Sequence, residues 1–276
     1  MSDTAPLLEL SGGTRMPQVA LGTWPMNDDE VEQAFRSAVE VGYRHVDTAE
    51  NYENEAGVGR GVRSCGLPRE EVFVTTKFNR KWHSDPAAGL AGNLERLGLD
   101  HVDLLLIHWP NPDQNAYLQA WEGMLALREK GLARAIGTSN FKPAHLTRLI
   151  EATGVAPEVN QIELHPWADR SAEREFHAQH GIVTEGWSPL GRGEGVITEE
   201  LVQQIAEAHG RTPGQVLLRW AVQQDCAVAP KSANQLRQRE NLSVFDFSLS
   251  EEEVQALTSL QPPADFEVKD SDEFGH

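Results

Sequence analysis

Apolar positions along this chain follow two alternating rhythms. Runs such as Val72-Phe73-Val74-Thr75-Thr76-Lys77 and Val102-Asp103-Leu104-Leu105-Leu106-Ile107 are nearly continuous, as in strands covered on both faces. Val31, Ala34, Phe35, Ala38 and Val39 instead fall at helical spacing, which predicts a helix with one buried face. Capping residues mark further helix starts at Asp85-Pro86, Thr212-Pro213-Gly214-Gln215 and Ser250-Glu251-Glu252-Glu253, the last two as capping boxes. Two short runs around Gly12-Gly13, Leu7 to Leu10 and Met16 to Leu21, predict an N-terminal β-hairpin.

The predicted parallel strands end near Gly22, Asp47, Lys77, His108, Ser139, Glu163, Ser188 and Lys231. Eight strands separated by helices close a (β/α)8 barrel, the TIM-barrel architecture, and residues 1–276 have the length of one such domain. An open doubly wound sheet is the alternative. Against it, the first strand-to-helix junctions carry no Gly-x-Gly-x-x-Gly, and Gly191 to Gly195 lacks that spacing and reads as a flexible turn. Only the stretch from Gln261 onward, rich in Pro, Asp and Glu, looks irregular.

In such barrels the chemistry stands at the C-terminal ends of the strands, where Asp47, Lys77 and His108 fall, with Tyr52 in the loop after one of them. A phenol is a poor acid at neutral pH, and a nearby ammonium such as Lys77 would lower its pKa. Asp47 would hold Lys77 charged, and His108 could bond the oxygen of a bound carbonyl. Taken singly, each has a plainer reading: a structural ion pair, a packing tyrosine, a satisfied core histidine. Their joint placement on neighbouring barrel units favours one shared site. His177 and His180 fall on one helix face, but no third ligand is in view, so no metal site is expected. Trp24, Trp82 and Trp109 each follow a different strand and are expected to wall a small substrate pocket beside His108.

Charge narrows the partners. With 24 basic against 42 acidic residues the net charge is −18, which disfavours nucleic acid and anionic membranes. Met1 to Pro6 have no signal-peptide pattern and no apolar run is long enough to span a bilayer, so a cytoplasmic monomer acting on a small molecule is expected. Cys65 and Cys226 are too few for a disulfide scaffold and read as small apolar residues, Cys65 partly exposed near a helix end.

Gly42-Tyr43-Arg44-His45-Val46-Asp47-Thr48-Ala49, Asn54-Glu55, Ile136-Gly137-Thr138-Ser139-Asn140-Phe141, Val159-Asn160-Gln161-Ile162-Glu163-Leu164-His165-Pro166 and Pro230-Lys231-Ser232 resemble, in order and over nearly the whole chain, the motifs of the aldo-keto reductase family. Glu163 to Pro166, Trp187 and Asn241 to Phe247 are most similar to its bacterial branch containing 2,5-diketo-D-gluconate reductases. The resemblance implies NADPH-dependent reduction of aldehydes or ketones, with Tyr52 as general acid, Asp47 and Lys77 tuning it and His108 positioning the carbonyl. It places the nicotinamide carboxamide on Ser139, Asn140 and Gln161, and its ring on Trp187. The pyrophosphate falls along Ser188, Leu190 and Gly191, the 2′-phosphate on Lys231, Ser232 and Arg237, and the adenine on Glu240 and Asn241. Two cations and a hydroxyl suit a dianionic phosphate that NAD lacks. The segment Leu190 to Thr198 is short where some relatives carry a long loop over the pyrophosphate. The C-terminal substrate loop is acidic, with few apolar side chains beyond Phe266, Val268 and Phe274, which disfavours steroids and favours dicarbonyls, aromatic aldehydes and keto-sugar acids. A cofactor-binding redox sensor and a metal-dependent barrel hydrolase are the other classes; the intact Asp47, Tyr52, Lys77, His108 set favours turnover, and the missing ligand cluster disfavours the hydrolase.

Overall fold

The computed structural model describes residues 4–191 and 195–276. Its N-terminal hairpin pairs β1 (Leu7–Glu9) with β2 (Arg15–Pro17) in antiparallel fashion. Eight parallel strands follow: β3 (Leu21–Gly22), β4 (His45–Asp47), β5 (Phe73–Phe78), β6 (Val102–Ile107), β7 (Ala133–Ser139), β8 (Val159–Glu163), β9 (Val183–Trp187) and β10 (Ala227–Ala229). They are hydrogen-bonded in chain order. The ring closes where Ala20 N donates to the Val228 carbonyl at 2.8 Å and Gly22 N to that of Pro230 at 3.1 Å. Glycine is required at that seam, because a Cβ on Gly22 would lie 2.5 Å from the Ala229 carbonyl oxygen.

Among the described residues ten α-helices pack around or beside the barrel: α1 (Asp28–Val41), α2 (Glu55–Ser64), α3 (Pro86–Leu97), α4 (Tyr117–Glu129), α5 (Pro143–Thr153), α6 (Ser171–Gln179), α7 (Glu200–His209), α8 (Pro213–Val222), α9 (Gln235–Leu242) and α10 (Glu251–Thr258). The expected caps are present: Asp85 accepts from Ala88 N, and Thr212 and Ser250 form reciprocal boxes with Gln215 and Glu253. Val31, Ala34, Phe35, Ala38 and Val39 all face inward on α1. None of the described helices is long and apolar enough to cross a membrane.

The two-residue period of the strands sorts their side chains. Leu105 and Ile107 point outward into the main core under the helices, whereas Phe73, Leu104, Leu106, Ala135, Val159 and Ala227 form a separate apolar cluster with Leu10 and Met16 of the hairpin region. The hairpin therefore plugs the N-terminal end of the barrel, and Gly12 N donates to Glu158 to hold it there. Farther along the same strand faces the residues change character, from Phe73 to Lys77 and from Val159 to Gln161. That change puts ionisable groups above an apolar floor. Arg192 to Glu194, within the expected turn at Gly191 to Gly195, lie outside the described residues; Gly195–Thr198 forms a 3-10 turn. Cys226 is buried, and Cys65 is half-buried at the end of α2.

Candidate active site

Lys77 is fully buried on β5, so its ammonium must be paid for by partners. It donates to both carboxylate oxygens of Asp47 at 2.8 and 2.9 Å and to the Thr48 carbonyl at 3.0 Å, and it stands 3.5 Å from the Tyr52 hydroxyl. Burial pushes its pKa down, but Asp47, Tyr52 and Glu185 together raise it. Tyr52 lies half-buried in a 3-10 turn after β4, with Lys77 Nζ 5.0 Å from its ring centre. The phenol departs from expectation in sign. Burial raises its pKa more than Lys77 lowers it, and the negative charge of Asp47 pushes the same way as burial, as does Glu185 once it is ionised. Tyr52 thus holds its proton at neutral pH.

His108 follows β6 with its ring 5.8 Å from that of Tyr52, edge to face. Its Nδ1 faces Asn79 Oδ1 at 3.3 Å, which leaves Nε2 as the nitrogen for a substrate. Burial, Lys77 and His276 hold its pKa well below the ordinary histidine value, so the ring is neutral.

Across the barrel, Gln161 on β8 donates from Nε2 to Asp47 Oδ1 at 2.9 Å and to Glu185 Oε2 at 2.8 Å. Both amide hydrogens are thereby used, and only Oε1 remains to accept a bond from a ligand amide. Ser139 Oγ donates to the Gln161 carbonyl, Asn140 Nδ2 donates to Ser139 Oγ at 3.0 Å, and Trp187 Nε1 donates to Asn140 Oδ1 at 2.9 Å. Asn140 and Ser188, each just past the end of a strand, hold left-handed backbone (φ 64° and 48°), which turns the chain sharply at the mouth of the barrel. Leu190 packs against the core beside Gly191, whose N–H closes a turn onto the Ser188 carbonyl.

Lys231 and Arg237 are exposed at the approach to and first turn of α9, whose N-cap is Asn234, and Ser232 is buried between them in sequence. Neither cation has a carboxylate partner among the described residues. Two unpaired cations, a hydroxyl and a helix start form a donor set that fits a phosphate. Glu240 is half-buried; Asn241 is buried, its side chain on the Tyr43 hydroxyl.

The three tryptophans are not equivalent. Trp109 is buried near His108, edge to face with Phe274 at 4.9 Å and with His276 at 6.2 Å. Trp82 is half-buried and donates to the Glu50 carboxylate at 3.0 Å. Trp24 is 56% exposed. The C-terminal segment reaches this site because Lys142 pairs with Asp270 and Asp272, His145 with Asp272, and Arg80 N donates to the His276 carbonyl. Of the two histidines expected on one helix face, His177 is buried between Asn160 and Thr184, whereas His180 is exposed; no metal-ligand cluster occurs among the described residues.

Sequence reasoning missed Glu185, His276 and the seating of Phe274. The one available hint for Glu185 was its place two positions before Trp187 on the same strand face, in a strand not otherwise set apart. The tail has no periodicity to read.

Residues 12–262 match the model of the aldo/keto reductase family. The chain belongs to the aldo/keto reductase family. It is 47% identical over 258 residues to 2,5-diketo-D-gluconic acid reductase B of a Corynebacterium species, covering 93% of each chain. It is 45% identical over 256 residues to methylglyoxal reductase DkgA of Yersinia pestis, covering 92% of each. Among solved structures, the Bombyx mori aldo-keto reductase in complex with NADP superposes with a TM-score of 0.86 at 36% identity, over 92% of each chain. Membership of this aldo/keto reductase family makes the chain an oxidoreductase.

Proposed function

We propose that this protein reduces small aldehydes and ketones to alcohols with NADPH, Tyr52 delivering the proton. The observation that carries the reading is one set of contacts: Lys77 Nζ bonds both Asp47 oxygens and stands 3.5 Å from a protonated Tyr52 hydroxyl. When bound, NADPH supplies the hydride. Ser139, Asn140 and Gln161 would hold its carboxamide, Trp187 its ring, Ser188, Leu190 and Gly191 its pyrophosphate, Lys231, Ser232 and Arg237 its 2′-phosphate, and Glu240 with Asn241 its adenine.

With the Asn79 amide turned so that its Nδ2 donates to Nδ1, neutral His108 carries its proton on Nε2 and donates it in a hydrogen bond to the carbonyl oxygen, and Tyr52 gives that oxygen its proton as negative charge develops there. Lys77 stabilises the phenolate left behind, and Asp47 keeps the ammonium in place. A phenol protonated at neutral pH suits the reductive direction, in which the proton must be present before hydride arrives. Relatives named for methylglyoxal and 2,5-diketo-D-gluconic acid support small dicarbonyls and keto-sugar acids as substrates, with aromatic aldehydes suited to Trp109.

Replacing Tyr52 by Phe is expected to lower kcat by about two to four orders of magnitude with NADPH affinity little changed. Steady-state rates on methylglyoxal and benzaldehyde, beside fluorescence titration of NADPH, test this. A Tyr52→Phe enzyme that keeps most of its kcat removes Tyr52 from the role.

A further inference from the structure

Glu185 is fully buried inside the barrel on β9, opposite Gln161 in the strand register, and no part of the reaction described so far uses it. Its Oε2 accepts from Gln161 Nε2, the same nitrogen that donates to Asp47 Oδ1, while its Oε1 has no hydrogen-bond partner among the described residues. One amide thus ties two carboxyl groups together. The charged and titratable groups around them are Asp47 on β4, Lys77 on β5 and Tyr52 beyond β4; on the other side β10 presents Ala227.

Lys77 is the single cation of this group, and Asp47 already takes two of its bonds. A second carboxylate here would keep an unpaired oxygen in a dry interior, which costs more than leaving an acid neutral. We propose that Glu185 is a positioning residue held as a neutral acid, which lets Gln161 grip Asp47 without adding a second negative charge behind Tyr52. Burial first, and the charge of Asp47 second, push its carboxyl up to about 8. Above that pH Glu185 ionises, and its charge raises the Tyr52 phenol further, so the phenol becomes a weaker acid. Reduction therefore loses rate on the alkaline side through a group that never touches substrate.

The inference rests on Tyr52 as the proton donor, and two measurements separate them. In the cofactor-free protein labelled with carboxyl-13C glutamate, the resonance lost in Glu185→Gln is expected to titrate near the alkaline value above; Glu185→Ala supplies the assignment if Glu185→Gln does not fold. A Glu185 resonance titrating in the ordinary range, about 4.3, overturns the inference. In single-turnover oxidation of NADPH, the rate at about pH 9 relative to about pH 7 should rise about three- to tenfold in Glu185→Gln over the parent, because the carboxamide cannot ionise. An unchanged ratio in a folded variant also overturns it. Inactive Tyr52→Phe with either overturning result leaves the acid assignment standing, whereas active Tyr52→Phe fails that assignment whatever Glu185 does.

Discussion

The ionisable cluster inside the barrel and the two cations near the start of α9 are built on opposite terms. Lys77 is enclosed and fully engaged, by Asp47, Thr48 and Tyr52, whereas Lys231 and Arg237 stand in solvent with no carboxylate partner among the described residues. An interior ammonium must have its partners in the folded state, because desolvating it alone costs several kcal/mol. A surface cation pays almost nothing to wait for a ligand. The interior is thus preorganised for proton transfer, and the surface pair is available to a charged ligand.

Breaking the interior set should have the largest effect. Lys77→Met leaves Tyr52 without its nearest positive charge and Asp47 without its counter-ion, and kcat is expected to fall by about two to three orders of magnitude. Equilibrium binding of NADPH distinguishes chemistry from assembly: loss of binding with retained turnover contradicts the contrast. At the surface pair the loss should be smaller and fall on affinity. Arg237→Ala is expected to weaken NADPH by about 1.5–3 kcal/mol and NADH hardly at all, as read by fluorescence titration; equal losses mean that Arg237 does not read the 2′-phosphate. The smallest effect concerns neither cluster. Phe274 lies edge to face on Trp109 near His108 and is 38% exposed. Phe274→Ala should raise KM about two- to tenfold for an aromatic aldehyde and leave that for methylglyoxal near the parent value. A parallel rise for both would place Phe274 outside the substrate's reach.

The eight strand ends were legible because parallel strands buried on both faces are uninterrupted apolar runs, and caps such as Thr212 and Ser250 punctuate what lies between them. Asp47, Lys77 and His108 were legible for the same reason, as polar residues at the ends of such runs. Glu185 was not, since Val183-Thr184-Glu185-Gly186-Trp187 reads as an ordinary strand until ring closure brings it across Gln161 from Asp47. Nor was the sign of the Tyr52 shift. It depends on how much water the closed site excludes and on a second carboxyl nearby, neither of which is local in sequence. The C-terminal segment docks through Lys142 and His145, more than a hundred residues upstream, as the Asp270 pair spans 128 positions.

Closure of the ring between β3 and β10 has a bearing on how the protein is made. On the proposed roles, Asp47, Tyr52, Lys77 and His108 belong to the first half of the chain, whereas Gln161, Trp187, Lys231 and Arg237 belong to the second. Translation therefore releases the proton-handling side chains early and most of the cofactor-holding ones late, and β3 waits for β10, the last strand to be synthesised, to complete its seam. Until then the Asp47–Lys77 pair lacks the Gln161 bond that ties it to the far wall. On those roles, a chain that stops short of β10 is left with an open seam and without the cations that would meet the 2′-phosphate.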